Sequence, residues 1–94
     1  MSTFISLIRF TEQGARNIKD SINRAHSFDE AAKASGVEIV GQYWTVGAYD
    51  GVLIVRAESA KQALHCLTEL VSGGNVSVQT LTAFSDREFR EIVC

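Results

Sequence analysis

From Val37 to Val46 apolar residues fall on both parities, interrupted by Glu38, Gln42 and Thr45, and apolar residues then accumulate from Val52 to Val55. In the first run Val37, Ile39, Gly41, Tyr43 and Thr45 share one parity, and Glu38, Val40, Gln42, Trp44 and Val46 share the other. Side chains alternate across a strand, so these are its two faces. The second run, Asp50-Gly51-Val52-Leu53-Ile54-Val55, fits a strand covered on both sides. Val46-Gly47-Ala48 between the runs reads as a hairpin loop of about two to five residues, with Gly47 supplying the backbone freedom a turn needs. Gly51 inside the second run points to a bulge or to the close approach of another backbone.

The rest of the chain falls into place around this hairpin. Thr3 to Phe10 is a first strand, with Phe4, Ser6, Ile8 and Phe10 on one face and Thr3, Ile5, Leu7 and Arg9 on the other. Thr11 is a good N-cap; Gly14 stands three positions on, so no capping box is expected there. From Glu12 to Ser35 the period becomes helical, through Ile18, Ile22, Ala25, Phe28 or Asp29, and Ala32. One helix of that length would run ~36 Å. The neighbouring strand runs only ~26 Å. A break is therefore expected near Asp20-Ser21, with Ser21 capping a second segment and Gly36 ending it. Ser59-Ala60-Lys61-Gln62 reads as a capping box opening a helix with a stripe of Ala60, Ala63, Leu64, Leu67, Leu70 and Val71. Ser72-Gly73-Gly74-Asn75 closes it, Val76 to Phe84 is the last strand, and Ser85 caps a short helix reaching about Val93.

The order β-α-β-β-α-β, with a helical tail, is the split βαβ plan. It predicts an α+β domain covering residues 1–94, with a four-stranded antiparallel sheet ordered 4-1-3-2 and two helices on one face. That leaves the other face open. Ile5, Leu7, Val52 and Ile54 or their neighbours must lie there, and the tail residues Phe89, Ile92 and Val93 are too few to cover it. So large an apolar patch calls for a partner. A second copy of the same sheet is the expected one, burying ~1,200–2,000 Å² in a homodimer.

Composition narrows the classes. Ninety-four residues make one domain. A net charge of −2, with Lys and Arg scattered among Asp and Glu, gives no basic face for nucleic acid. No apolar run approaches the ~20 residues of a membrane span. The N-terminus lacks the basic region and apolar core of a secretory signal, and the two cysteines fit a reducing cytoplasm. No phosphate-binding glycine loop, zinc motif, dinucleotide fingerprint or catalytic serine signature is present, so neither a cofactor nor a metal is expected.

Gly47-Ala48-Tyr49-Asp50 matches the Gly-x-Tyr-Asp signature of the GYD domain family. Thr11-Glu12-Gln13-Gly14, Asn17-Ile18-Lys19-Asp20-Ser21, Tyr43-Trp44-Thr45, Gly74-Asn75-Val76 and Ala83-Phe84-Ser85 also resemble that family, in the right order. The resemblance covers nearly the whole chain. It implies a ferredoxin-like fold of the dimeric α+β-barrel type, and no particular reaction.

Several side chains are candidates for a ligand site. Asp50, beside Tyr49, places a carboxylate at the pocket mouth or holds the turn by accepting backbone N–H groups. Tyr43 and Trp44 are adjacent, so one faces the helices and the other the open side; either could line a pocket or pack in the core. His26 and His65 have no second ligand at metal spacing. His26 is the better of the two, because the first helix borders the pocket in dimeric α+β barrels. Cys66 reads as a small buried hydrophobe and Cys94 as a mobile terminal thiol; neither has a visible base. Arg9 and Arg56 are charges in apolar strands, with Glu38 and Asp50 as possible partners. Three readings stand: a homodimer binding a small organic molecule between sheet and helices; as the resemblance to dimeric α+β barrels implies, a cofactor-independent monooxygenase- or isomerase-like enzyme on a small aromatic or lactone substrate; and a ligand-free assembly module.

Overall fold

β1 (Ser2–Phe10) is paired on both flanks. It runs antiparallel to β3 (Gly51–Ala57) on one side and to β4 (Val76–Ala83) on the other, and β2 (Glu38–Trp44) adds outside β3. The computed structural model describes residues 1–94, and its sheet order is β2-β3-β1-β4, as the chain order requires. The helices are α1 (Glu12–Arg16), α2 (Ser21–Ala34), α3 (Ala60–Ser72) and α4 (Asp86–Val93). The domain is α+β with the ferredoxin-like plan.

Register decides which residues are covered. Phe4 pairs with Val55, Ser6 with Leu53 and Ile8 with Gly51, so these share the face under α2 and α3. There Phe4, Leu53, Val55 and Ala57 meet Phe28 and Ala32 of α2 and Ala63, Cys66 and Leu67 of α3 in one core. Burying each large apolar side chain contributes roughly 1.5–3 kcal/mol. Ser6 is the one polar residue fully inside, and its Oγ bonds the Thr80 Oγ1 at 2.9 Å. The opposite face carries Ile5, Leu7, Val52 and Ile54, all half-buried, and exposed Leu81.

Three local expectations need correction. First, a bulge interrupts β2 between Ile39 and Gly41, at Val40 rather than at Gly51. The bulge breaks the parity: Val37 and Ile39 face the helices, whereas Gly41 and Tyr43 face the open side. Gly51 instead marks a close approach, for a Cβ there would stand 3.1 Å from the Tyr43 carbonyl oxygen. Second, the break in the first helix is a 3₁₀ turn at Ile18–Asp20, and Ser21 is the first residue of α2 rather than its cap. The Ser21 N–H already bonds the Ile18 carbonyl, so no side chain is needed. The turn also shifts the helical phase, which leaves Ile18 and Ile22 exposed while Phe28 and Ala32 are buried. Third, the inner stripe of α3 is Ala63, Cys66, Leu67 and Leu70, with Ala60, Leu64 and Val71 turned outward. Its capping box is half formed. Ser59 accepts from the Gln62 N–H, but the Gln62 side chain accepts from Glu58 and donates to the Ser35 carbonyl at 2.6 Å.

The end of α2 follows the expectation closely. Gly36 adopts φ +77°, its N–H bonds the Lys33 carbonyl, and the Val37 N–H bonds the Ala32 carbonyl. This is the Schellman arrangement, with buried Val37 sealing it.

Candidate functional site

Phe10 and Thr11, where β1 gives way to α1, are held by two different loops. The Phe10 N–H donates to Asp50 Oδ2 at 2.8 Å, and the Thr11 N–H donates to the Asn75 carbonyl at 3.0 Å. The sequence leaves Asp50 either at a pocket mouth or accepting backbone N–H groups of its turn or of a helix end; the N–H it takes is that of Phe10, at the end of a neighbouring strand and just before α1. The reason lies in the hairpin loop. Asp50 donates its own N–H to the Ile8 carbonyl and accepts from the Thr45 N–H, while the Thr45 hydroxyl bonds the Tyr49 carbonyl at 2.7 Å. Those bonds turn the Asp50 side chain toward the end of β1. Gly47 makes the turn possible with φ +145°.

The second loop closes as a clasp. The Thr11 hydroxyl accepts from the Gly14 N–H and donates to the Gly74 carbonyl. Gln13 donates to the Gly73 carbonyl and to Asn75 Oδ1, both at 3.2 Å. Gly14 sits so close that a Cβ on it would overlap the Asn75 carbonyl. Thr11-Glu12-Gln13-Gly14 and Gly73-Gly74-Asn75 thus form one structural unit.

Beside this junction a cavity of about 60 Å³ opens between α2 and the sheet. Ile8, Phe28, Trp44 and Leu70 are among the apolar residues of its wall, and Arg24 and Asp50 are its charged groups. Small residues, Ser21 and Ala25 above and Gly51 below, leave the space unfilled. It adjoins an outer groove of about 540 Å³ between α2 and α3, with Arg24, Phe28, Leu70 and Val76 common to both.

The expected site residues separate. Trp44 takes the helix side, opposite Gly51, and lines the cavity with Asp50. Tyr43 also lines the cavity, although its register position opposite Val52 is on the open sheet face. Tyr49 lies outside the cavity wall: its hydroxyl donates to Gln79 Oε1 at 3.2 Å, and the Arg9 guanidinium stacks 4.9 Å from its ring centre. Arg9 therefore has an aromatic partner rather than a carboxylate. Arg56 stands opposite Glu38 in register without closing an ion pair. His26 is exposed and does not line the cavity, because the inward positions of α2 are Ser21, Arg24, Ala25 and Phe28. That i, i+3, i+4, i+7 series was the overlooked signal: it puts Arg24 on the inner face. His65 pairs with Glu69 at 3.5 Å on the surface. Cys66 is buried in the core, and burial, with a smaller push from the Glu69 carboxylate, raises its thiol pKa.

The model of the GYD domain matches residues 4–93. The chain belongs to the GYD domain family. It is similar to a curated Thermus thermophilus protein named glutamine synthetase and cystathionine beta-lyase binding protein, 36% identical over 84 residues and 88% of each chain. A solved Thermus thermophilus structure has 26% identity and a TM-score of 0.58, covering 90% of this chain and 95% of that one. A 5-chloro-2-hydroxyhydroquinone dehydrochlorinase from Burkholderia phenoliruptrix, solved with 2,5-dihydroxybenzoquinone, has a TM-score of 0.65 at 16% identity over 93% and 97%. At that identity the likeness is one of fold. The clasp and the Asp50 bond give the GYD signature residues a physical role: they join β1 to both of the loops that end beside it.

Proposed function

We propose that this GYD protein is a homodimeric binding protein, with two sheets joined by their open faces and a small organic molecule held in each cavity. The supporting observation is the cavity itself, walled by Trp44, Phe28, Ile8 and Leu70 with two charged groups at its edge. A small apolar space with few polar groups is the usual form of such a site. The half-buried Ile5, Leu7, Val52 and Ile54 supply a self-complementary face for the dimer. Two free cysteines fit a reducing cytoplasm.

An enzyme would favour a titratable group pushed far from its ordinary pKa inside the cleft. Burial raises the Cys66 thiol and the bonds from Ser85 lower the Glu88 carboxyl, and neither residue lines the cavity. Binding is therefore preferred to catalysis. Native mass spectrometry of gently purified protein tests the proposal. The expected spectrum is a dimer carrying one small adduct per chain, or accepting one from a fragment mixture. A single-chain mass sinks the dimer, and a bare dimer that takes up no fragment sinks the cavity reading.

The Thermus relative supports a second reading, in which the chain docks onto larger enzymes. The apolar residues Phe89, Ile92 and Val93 on exposed α4 suit such a contact. Co-elution with purified glutamine synthetase or cystathionine beta-lyase in gel filtration supports it, and separate elution at micromolar concentration counts against it.

A further inference from the structure

We infer that the occupant of the cavity is a small carboxylic acid, its acid group paired with Arg24 and its apolar body lying against Trp44 and Phe28. This rests on the cavity reading above and adds the ligand's charge. The Arg24 Nη1 donates to the Asn17 carbonyl at 2.9 Å, which ties the guanidinium back to the break between α1 and α2. Its Nη2 is buried and has no partner anywhere in the chain. Leaving a buried guanidinium donor unmatched is costly, and the chain matches its one fully buried polar side chain, Ser6, with Thr80. The one arginine paired with a carboxylate is Arg16, with Glu12, so Arg24 has no anionic partner.

Other charges bear on the choice. Asp50, across the same cavity, already accepts from the Phe10 N–H through Oδ2. Asp20 and Glu69 line the outer groove. These carboxylates disfavour a polyanion such as a phosphate ester. They suit an acid with a single negative charge, and Asp50 favours one that also carries a hydroxyl or amino donor. A guanidinium held by one arm presents its remaining N–H groups in a fixed plane, which matches a carboxylate better than any neutral acceptor. About 60 Å³ holds a branched aliphatic chain or part of one ring, with any remainder in the groove outside.

Trp44 is the only tryptophan in the chain and lines the cavity, so its fluorescence reports occupancy. The probes are 4-hydroxybenzoate and 2-hydroxy-3-methylbutanoate, each titrated beside its own primary amide. The acids are expected to change Trp44 emission saturably and to bind about tenfold or more tightly than the amides. That preference should vanish in Arg24→Gln and survive in part in Arg24→Lys, with circular dichroism confirming the fold of each. If Arg24→Gln fails to fold, Arg24→Lys decides, since losing the planar fork should weaken acids and leave amides unchanged. Equal binding of acids and amides to the wild type overturns the anion assignment and leaves the cavity reading standing. An acid preference that persists unchanged in both variants overturns the role of Arg24. If neither acids nor amides disturb Trp44, the inference falls together with the reading beneath it.

Discussion

Asp50 Oδ2 takes the backbone N–H of Phe10, forty residues earlier in the chain, at 2.8 Å. A half-buried, charge-assisted bond of this kind contributes ~1.5–3 kcal/mol. In a domain of this size each kcal/mol is worth ~4–8 °C of melting temperature. Asp50→Ala is expected to melt at least ~5 °C below wild type, and Asp50→Asn, which keeps one acceptor, by about half as much. Thermal melts decide it. Both variants melting at or above wild type would make Asp50 a ligand-site carboxylate rather than a structural one.

Gly14 and Gly73 flank the same clasp but should differ in their response to an added methyl. A methyl on Gly14 overlaps the Asn75 carbonyl, which is backbone and cannot rotate away. Gly14→Ala is expected to cost ~2 kcal/mol or more and to loosen the Thr11–Asn75 bond. A methyl on Gly73 meets only ordinary contacts, 3.5 Å from the Leu70 carbonyl, at a helix-like φ of −68°. Gly73→Ala should stay within about 0.5 kcal/mol of wild type. Denaturant melts compare the two, and equal effects would mean that the clasp does not hold the fold.

Ile54 lies at the middle of the open sheet face, between Ile5 of β1 and Gly41 of β2. A carboxylate there would be desolvated on both sides of a dimer interface, at a cost of several kcal/mol. Ile54→Glu is expected to elute with the mass of one chain in light-scattering chromatography and to keep its far-ultraviolet circular dichroism. An unchanged dimer mass would move the interface elsewhere.

The Ser85 backbone N–H, bonded to Glu88 Oε1 at 2.9 Å, and then the Ser85 side chain hold the Glu88 carboxyl below its ordinary value of 4.5. The folded helix end binds the charged form. The stabilisation is therefore complete above pH 4.5 and is lost as the pH falls through the lower folded value. The Ser85 amide resonance should titrate with a midpoint below 4.5, and Glu88→Gln should abolish that step. A midpoint at or above 4.5 would mean the box is open in solution.

Much of the fold was legible because local chemistry and chain order agree. Thr11, Gly36 and the run Val52 to Val55 each announce one element, and the split βαβ order leaves few ways to pair the strands. The bulge at Val40 was not legible. Gly41 follows it, yet a glycine in a strand marks either a bulge or a close contact, and at Gly51 the same signal means the close contact. The rotated stripe of α3 was missed because Cys66 and Leu64 are both apolar, and only the sheet beneath chooses between them. In the site, Asp50 and Trp44 stood out by residue type. Arg24 did not, since a lone arginine in an amphipathic helix ordinarily points to water, and its inward turn depends on the 3₁₀ break before it.

The bulge at Val40 also bears on what the protein avoids. β2 is an outer strand of the sheet, with a row of backbone donors and acceptors turned to solvent. An uninterrupted row of that kind invites a strand from another chain and, repeated, a growing fibril. The extra residue between Ile39 and Gly41 breaks the row in its middle and twists it. Copies of this chain are thereby steered away from lateral, unlimited stacking; in the dimer proposed above, pairing face to face would end at two.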